Sequence, residues 1–324
     1  MKSFTAGKNE EGVRLSRFVQ NVTKDLPTSL LYKSFRNKRI KVNGKKAAPE
    51  TRLQTGDLIE LYINDEFFPA NAGVKRSTAP KKTPLPEIIE EDCNLVFLYK
   101  PAHRLCHSDR TGDLSLIEQL HYYLYQKQEY LPEDETTFSP AICNRLDRGT
   151  EGLVIAAKNY ASLRDMNSII RDDFIRKEYF AITCGVPPQG RHTAWLKHHE
   201  KNNKVEIRST FAEGFKEIIT DISVERVQAP FALCRIGLVT GRTHQIRAHL
   251  AFLNAPVLGD VKYGSKKMNE KTQKRTQELC AVHLSFKDIP QENSLHYLSG
   301  KKIELQSPAI LQRFTELSDK YSCV

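Results

Sequence analysis

No stretch of this 324-residue sequence stays apolar for the length of a membrane span; the best run, Gly152 to Ala157, is the length of a buried strand. The opening residues, Met1-Lys2-Ser3-Phe4-Thr5-Ala6-Gly7-Lys8, contain no apolar segment of the kind an export signal needs. No membrane association is expected, and the expected location is cytoplasmic. Cysteine is sparse: Cys93, Cys106, Cys143, Cys184, Cys234, Cys280 and Cys323 are scattered, and no two form a Cys-x-x-Cys pair. An odd number of isolated thiols in a long chain reads as reduced cysteine, which excludes a disulfide framework and a structural zinc site. The pairs His103/His107, His198/His199 and His244/His249 have no nearby cysteine and no His-Glu-x-x-His frame, so no metal is expected. Also missing are a Gly-x-Gly-x-x-Gly turn after a strand, a Walker phosphate loop and a Gly-x-Ser-x-Gly elbow. No nucleotide or flavin cofactor is expected either.

What remains is 40% apolar and 27% charged, the composition of a soluble globular protein, and long enough for a main domain with a smaller companion. The net charge of +10 is uneven. Met1 to Ile88 holds 17 Lys and Arg against 9 Asp and Glu, whereas the rest of the chain holds 32 against 30. The N-terminal quarter is thus the better candidate to hold a polyanion. Within it, Lys33, Arg36, Lys38, Arg39, Lys41, Lys45 and Lys46 follow one another with no intervening acid. A solvated surface is the ordinary reading of such a run; here it lies on a folded pattern rather than a tail.

In that pattern Leu15, Phe18, Val19, Val22 and Leu26 recur at helical spacing. Thr28 and Ser29 are N-cap candidates for a second helix that buries Leu30, Leu31 and Phe35. Ile40-Lys41-Val42, a turn at Asn43-Gly44 and the stretch Leu58 to Ile63 read as a small sheet. Residues 12–63 resemble the alpha-L, or S-four-like, RNA-binding domain shared with a small-subunit ribosomal protein, which implies grip on RNA backbone and shape. The expected organisation is this domain over 12–70, a basic proline-containing linker over 71–87, and a larger body over 88–324.

In the body, strands are expected at Leu95–Tyr99, Leu153–Ala157, Lys177–Cys184, Ile218–Val227, Leu233–Val239, Ala281–Phe286 and Ile303–Leu305, and helices at Leu116–Gln126, Ala161–Arg171, Thr243–Leu253 and Ala309–Leu317. Neighbouring strands without helices between them predict an α+β fold on a mixed, largely antiparallel sheet. The polar segment Lys266 to Leu279 reads as an exposed loop.

Three stretches could carry chemistry. In Asn144-Arg145-Leu146-Asp147-Arg148-Gly149-Thr150-Glu151-Gly152-Leu153 a carboxylate between two arginines sits on a glycine bend before an apolar strand. Positive neighbours would keep Asp147 ionised, as a nucleophile or electrostatic stabiliser requires, although a structural turn with surface ion pairs would look the same. In Arg176-Lys177-Glu178-Tyr179-Phe180-Ala181 the strand period puts Lys177 and Tyr179 on one face, a cation and an aromatic that suit a base, or else a tyrosine packed on the core. In Gly241-Arg242-Thr243-His244-Gln245-Ile246-Arg247-Ala248-His249-Leu250, Thr243 reads as the N-cap of a helix with Arg242 at its mouth.

Together with Tyr99-Lys100-Pro101-Ala102-His103 and Leu258-Gly259-Asp260-Val261-Lys262-Tyr263-Gly264, these stretches, over residues 92–306, resemble the RluA family of pseudouridine synthases in order and separation. The resemblance implies a cofactor-free enzyme that isomerises uridine in structured RNA, ribosomal RNA of the large subunit before transfer RNA. It implies Asp147 as the catalytic aspartate, Arg247 as its paired arginine and Ile246 as a pocket neighbour. It also implies Arg145 as the residue that fills the vacated stack, and Tyr179 as the ring on the target base and a candidate for proton removal. Asn144 and Glu151 depart from the His and Ser that many relatives carry. A ribosome-assembly RNA-binding protein without turnover, or another RNA-modifying enzyme such as a methyltransferase, are the competing expectations; a monomer is the default.

Overall fold

The computed structural model describes residues 1–68, 79–200 and 203–321. Its first part is a four-stranded sheet under two helices. β1 (Lys2–Thr5) and β2 (Ile40–Val42) flank the later strand β4 (Leu58–Leu61), and β3 (Lys45–Lys46) extends β2 through the Asn43-Gly44 turn. α1 (Leu15–Val22) and α2 (Thr28–Arg36) close over it with Leu15, Phe18, Val19, Leu31 and Phe35 in one core with Ile40, Ile59 and Leu61. β1 lies before the expected boundary at residue 12; its four alternating residues carry little apolar signal. Thr28 and Ser29 are not caps. They sit inside the first turn, and the Pro27 carbonyl accepts the N–H of Leu30 and Leu31. The part rests on the larger body through Asn9, whose amide donates to both Glu135 oxygens at 2.7 and 2.9 Å, and through Thr137 Oγ1 donating to Glu10 at 2.6 Å.

Of the linker expected over 71–87, residues 71–78 lie outside the described residues, and β5 (Glu87–Glu91) already occupies its end. Among the described residues the body is built on one sheet of eleven strands. After β5 come β6 (Leu95–Lys100), β7 (Ala141–Ile142), β8 (Glu151–Ala157), β9 (Ile175–Cys184), β10 (Gly190–His199), β11 (Lys204–Arg208), β12 (Lys216–Gln228), β13 (Phe231–Leu238), β14 (Leu279–Phe286) and β15 (Lys302–Glu304). The order is β11-β10-β12-β13-β9-β14-β8-β6-β5, with β15 on β14 and β7 on β8. Among the described strands only the β8–β14 pairing is parallel, so the sheet is mixed and largely antiparallel as the strand spacing predicts.

The helices are α3 (Leu116–Gln126), α4 (Tyr160–Arg171), α5 (Gln245–Phe252), α6 (Lys266–Thr272) and α7 (Ala309–Tyr321). Strand alternation sorts them. Val96, Leu98, Tyr179 and Ala181 face α3 and α5, whereas Leu95 and Phe97 face α4, and Phe180 and Ile182 face α7. Each fully buried side chain of this kind contributes about 1.5–3 kcal/mol, so both faces are needed to hold the sheet. α6 replaces the first half of the loop expected at 266–279, while 273–278 has no regular element. The Ser265 side chain caps α6 by accepting the Met268 N–H, and too few apolar residues mark its period. β10 and β11 gave no sequence signal because their exposed edge hairpin is largely polar. Among the described residues no helix is long and apolar enough to cross a membrane.

Gly152 decides how β8 meets β14. Its φ is +115°, and a Cβ there would lie 2.2 Å from the Ala281 carbonyl oxygen. Gly152→Ala is expected to cost about 3 kcal/mol or more, since strain and a backbone clash add; a drop of less than about 1 kcal/mol in denaturant-measured stability would contradict this packing.

Candidate active site

On the α3/α5 face a cleft of about 990 Å³ opens, its floor shared with the core through Leu146, Tyr179, Ile246 and Leu279. Asp147 reaches it from the loop before β8, Tyr179 from β9, and Arg247 from the first turn of α5. Arg145, Lys177, Arg242 and Ile246 line the same space. Residues from three distant stretches thus converge on one opening.

Arg247 organises its centre. Its Nε and Nη2 donate to Asp260 Oδ2 and Oδ1 at 2.6 and 3.0 Å, and its Nη1 donates to Asp147 Oδ2 at 2.7 Å. Such a two-point fork fixes the guanidinium plane, which then presents its third edge to Asp147. The Asp260 side chain is wholly buried, while that of Asp147 is 28% exposed. Asp260 also accepts the main-chain N–H of Lys262 and Tyr263. Burial alone would push the Asp260 carboxyl up; the Arg247 hydrogen bonds and charge outweigh it and hold the carboxyl below its ordinary value. One carboxylate anchors the arginine and the other is left partly open to a ligand.

The sequence neighbours of Asp147 do not supply its partner. Arg148 points away to Asp113, and Arg145 is exposed at the cleft. The fully buried Lys100 ties the loop to the segment after β6 instead, donating from Nζ to the carbonyls of Pro101, Arg104 and Arg148 at 3.1, 2.7 and 3.1 Å. Burial lowers the Lys100 ammonium to about 8. Thr243 is not the helix cap. His244, in left-handed backbone, precedes α5, and Gln245 ties the bend by accepting from the Arg242 N–H and donating to the Ile219 carbonyl. Tyr179 is 7% exposed; burial, then the charge of Asp147, push its phenol well above the ordinary value. It meets the cleft as a neutral ring.

Comparison with known proteins decides what this cleft belongs to. Residues 94–252 match the family model described as RNA pseudouridylate synthase. A protein of Buchnera aphidicola called ribosomal large subunit pseudouridine synthase C is 31% identical over 265 residues, spanning 81% of this chain and 80% of its own. The chain belongs to the RluA family of RNA pseudouridine synthases. An uncharacterized RNA pseudouridine synthase of Mycoplasma capricolum is 29% identical over 325 residues, spanning 97% of this chain and 100% of its own. The fold agrees with the solved structure of human RNA pseudouridylate synthase domain containing 1, with TM-score 0.51, 22% identity, and 75% and 98% of the two chains covered.

As a pseudouridine synthase the protein is an isomerase, and neither the non-catalytic reading nor the methyltransferase reading is favoured. The synthase cleft gathers Asp147, Tyr179, Arg247, Arg145, Ile246, Arg242 and Lys177. It does not include Arg36, Lys38, Arg39, Lys41 or Lys45, which belong to the small N-terminal sheet and the end of α2, all but the half-buried Lys41 being exposed. The departures from the family pattern have different consequences. Asn144 lines the cleft and accepts the Ile155 N–H at 2.7 Å, whereas Glu151 is buried, accepts the Tyr99 hydroxyl at 2.9 Å and pairs with Arg313 of α7. Sequence reasoning missed Asp260, His244 and Tyr263 as site residues; they meet through contacts between the segment before α5, the first turn of α5 and the segment after it.

Proposed function

We propose that this synthase isomerises a uridine of large-subunit ribosomal RNA, with Asp147 as the reacting carboxylate. The observation that carries the reading is the Asp147–Arg247 contact at 2.7 Å in an opening large enough for a nucleotide. Relatives called ribosomal large subunit pseudouridine synthase C support the choice of RNA.

The exposed Arg36, Lys38 and Arg39 on the small domain draw in the RNA. The target base leaves its stack at a cost of a few kcal/mol, which Arg145 at the cleft rim offsets by taking the vacated place. The base lies against Tyr179. Asp147, charged and oriented by Arg247, acts on the sugar, either by attack at the anomeric carbon or by assisting deprotonation beside it. The glycosidic C–N bond breaks, the uracil turns, and its carbon-5 bonds to the anomeric carbon, displacing Asp147 where it had attacked there; the carbon-5 proton is then lost to solvent and N1 takes up a proton, so the product is an isomer. A base working near neutral pH needs a pKa near that pH, so the neutral Tyr179 serves first as a stacking surface.

Tritium release from ribosomal RNA labelled at uracil carbon-5 tests the reading: the purified protein should release tritium from large-subunit RNA and little from transfer RNA. Equal release from both, or none from the former, contradicts it. For the small domain, replacing Arg36, Lys38 and Arg39 by Gln should flatten the plot of log affinity against log salt by about 2–3 units, with kcat little changed. An unchanged slope places the RNA elsewhere.

A further inference from the structure

His244 stands at the cleft in a pattern that fixes which ring nitrogen carries the proton. The Tyr263 hydroxyl oxygen accepts the Val205 main-chain N–H at 2.9 Å and lies 2.9 Å from His244 Nδ1. A phenol holds one proton in its ring plane and accepts on the opposite side. With one accepting position filled by Val205, the arrangement that uses the phenolic proton is the one in which it points at Nδ1. Nδ1 is therefore the acceptor, and Nε2 bears the hydrogen. The brace is anchored in the β10–β11 hairpin, whose Asn203 carbonyl accepts Lys262 Nζ at 2.6 Å.

Nε2 looks across 3.9 Å at Asp147 Oδ2, too far for a direct hydrogen bond. An oxygen lodged between them and serving both must donate to the carboxylate and accept from the N–H. Of the groups of a uridine, the base carbonyls only accept and the ring N–H only donates; a sugar hydroxyl does both. A carboxylate acting at the anomeric carbon is next to the 2′-hydroxyl of the adjoining carbon. We propose that His244 donates from Nε2 to the 2′-hydroxyl of the flipped uridine, so that the catalytic cleft itself distinguishes RNA from DNA. This rests on the reading that Asp147 faces the sugar.

The charged groups around the ring fit a neutral donor. Burial pushes hardest against imidazolium, Asp147 and Asp260 pull toward it, and Arg247 and Lys262 add to the push, so the ring titrates below its ordinary value. Tyr263 is a positioning residue: its hydroxyl donates only to the neutral ring, and removing it raises the pH at which the imidazole gains its second proton.

The test compares the RNA fragment containing the modified uridine with the same fragment bearing 2′-deoxyuridine at that position alone. The missing hydroxyl should lower kcat/KM about thirtyfold in the wild type but only about threefold in His244→Leu. Tyr263→Phe should move the acid limb of the kcat/KM profile to higher pH. Nitrogen-15 spectra of the histidine-labelled wild type should show His244 with an unprotonated Nδ1 and a protonated Nε2 at neutral pH, a measurement that needs no variant to fold. An equal deoxy penalty in wild type and His244→Leu, or a proton on Nδ1, overturns the proposal. Absence of turnover on the ribose fragment would instead defeat the reading of Asp147, and the sugar contact with it, even with the expected tautomer in place.

Discussion

Asp147→Asn is expected to abolish isomerisation, lowering the single-turnover rate by about four orders of magnitude, roughly 5.5 kcal/mol of barrier, while RNA affinity changes less than about threefold. The substitution preserves shape. The amide oxygen can still accept from Arg247 Nη1, and the loop stays tied to Lys100 through the Arg148 carbonyl. What disappears is the charge and nucleophilicity of one oxygen. On the proposed reading binding should survive, because the cations assigned to the RNA are other residues: Arg36, Lys38 and Arg39 of the N-terminal part and Arg145, Lys177 and Arg242 at the cleft. Filter binding paired with tritium release measures both. Retained turnover would remove Asp147 from the chemistry; a parallel loss of affinity would make it a folding residue.

Arg247→Met should damage both stability and catalysis. The guanidinium is the link between a wholly buried carboxylate and the one in the cleft. Removing it leaves Asp260 with two main-chain N–H partners and without its ion-pair partner, a situation that costs about 3–5 kcal/mol. The pH dependence has a definite sign. In the wild type the Asp260 carboxyl is held low, so its contribution is present above the ordinary carboxylate range and is lost as pH falls through the depressed value. In Arg247→Met burial is opposed by the two main-chain N–H groups without the guanidinium, and the carboxyl rises. The deficit of the variant should then be largest at neutral pH and shrink on acidification. Adding Asp260→Asn should restore most of the stability by removing the buried charge, yet leave turnover low, because Asp147 still lacks its guanidinium. Denaturant melts from neutral to mildly acidic pH read the first effect and tritium release the second. A double variant that regains turnover would show that Arg247 acts only as scaffold.

The core of this arrangement was legible because strand and helix periods are local. Lys177 and Tyr179 alternate onto the cleft face with the β9 pleat, and α3 was bounded correctly by its apolar period. The partner of Asp147 was not readable from its own neighbours. Arg145 and Arg148 adjoin it in sequence, but the paired arginine comes from 100 residues away. Motif resemblance supplied that pairing, yet not its anchor. Asp260 lay in a stretch matched by resemblance, but its burial against Arg247 is a tertiary fact with no periodic trace. The start of α5 failed for a related reason: Gln245 reaches back to satisfy the bend that a capping Thr243 would otherwise have closed. Polar edges such as β1, β10 and β11 were invisible because they bury little.

The most direct test is pseudouridine mapping across all cellular RNA in cells with the gene, without it, and without it but supplied with either wild-type protein or Asp147→Asn. One or a few large-subunit ribosomal positions should lose the modification in the deletion and regain it with wild-type protein only. An unchanged map in the deletion, or restoration by Asp147→Asn, would contradict the assignment of a ribosomal uridine to the carboxylate of this cleft.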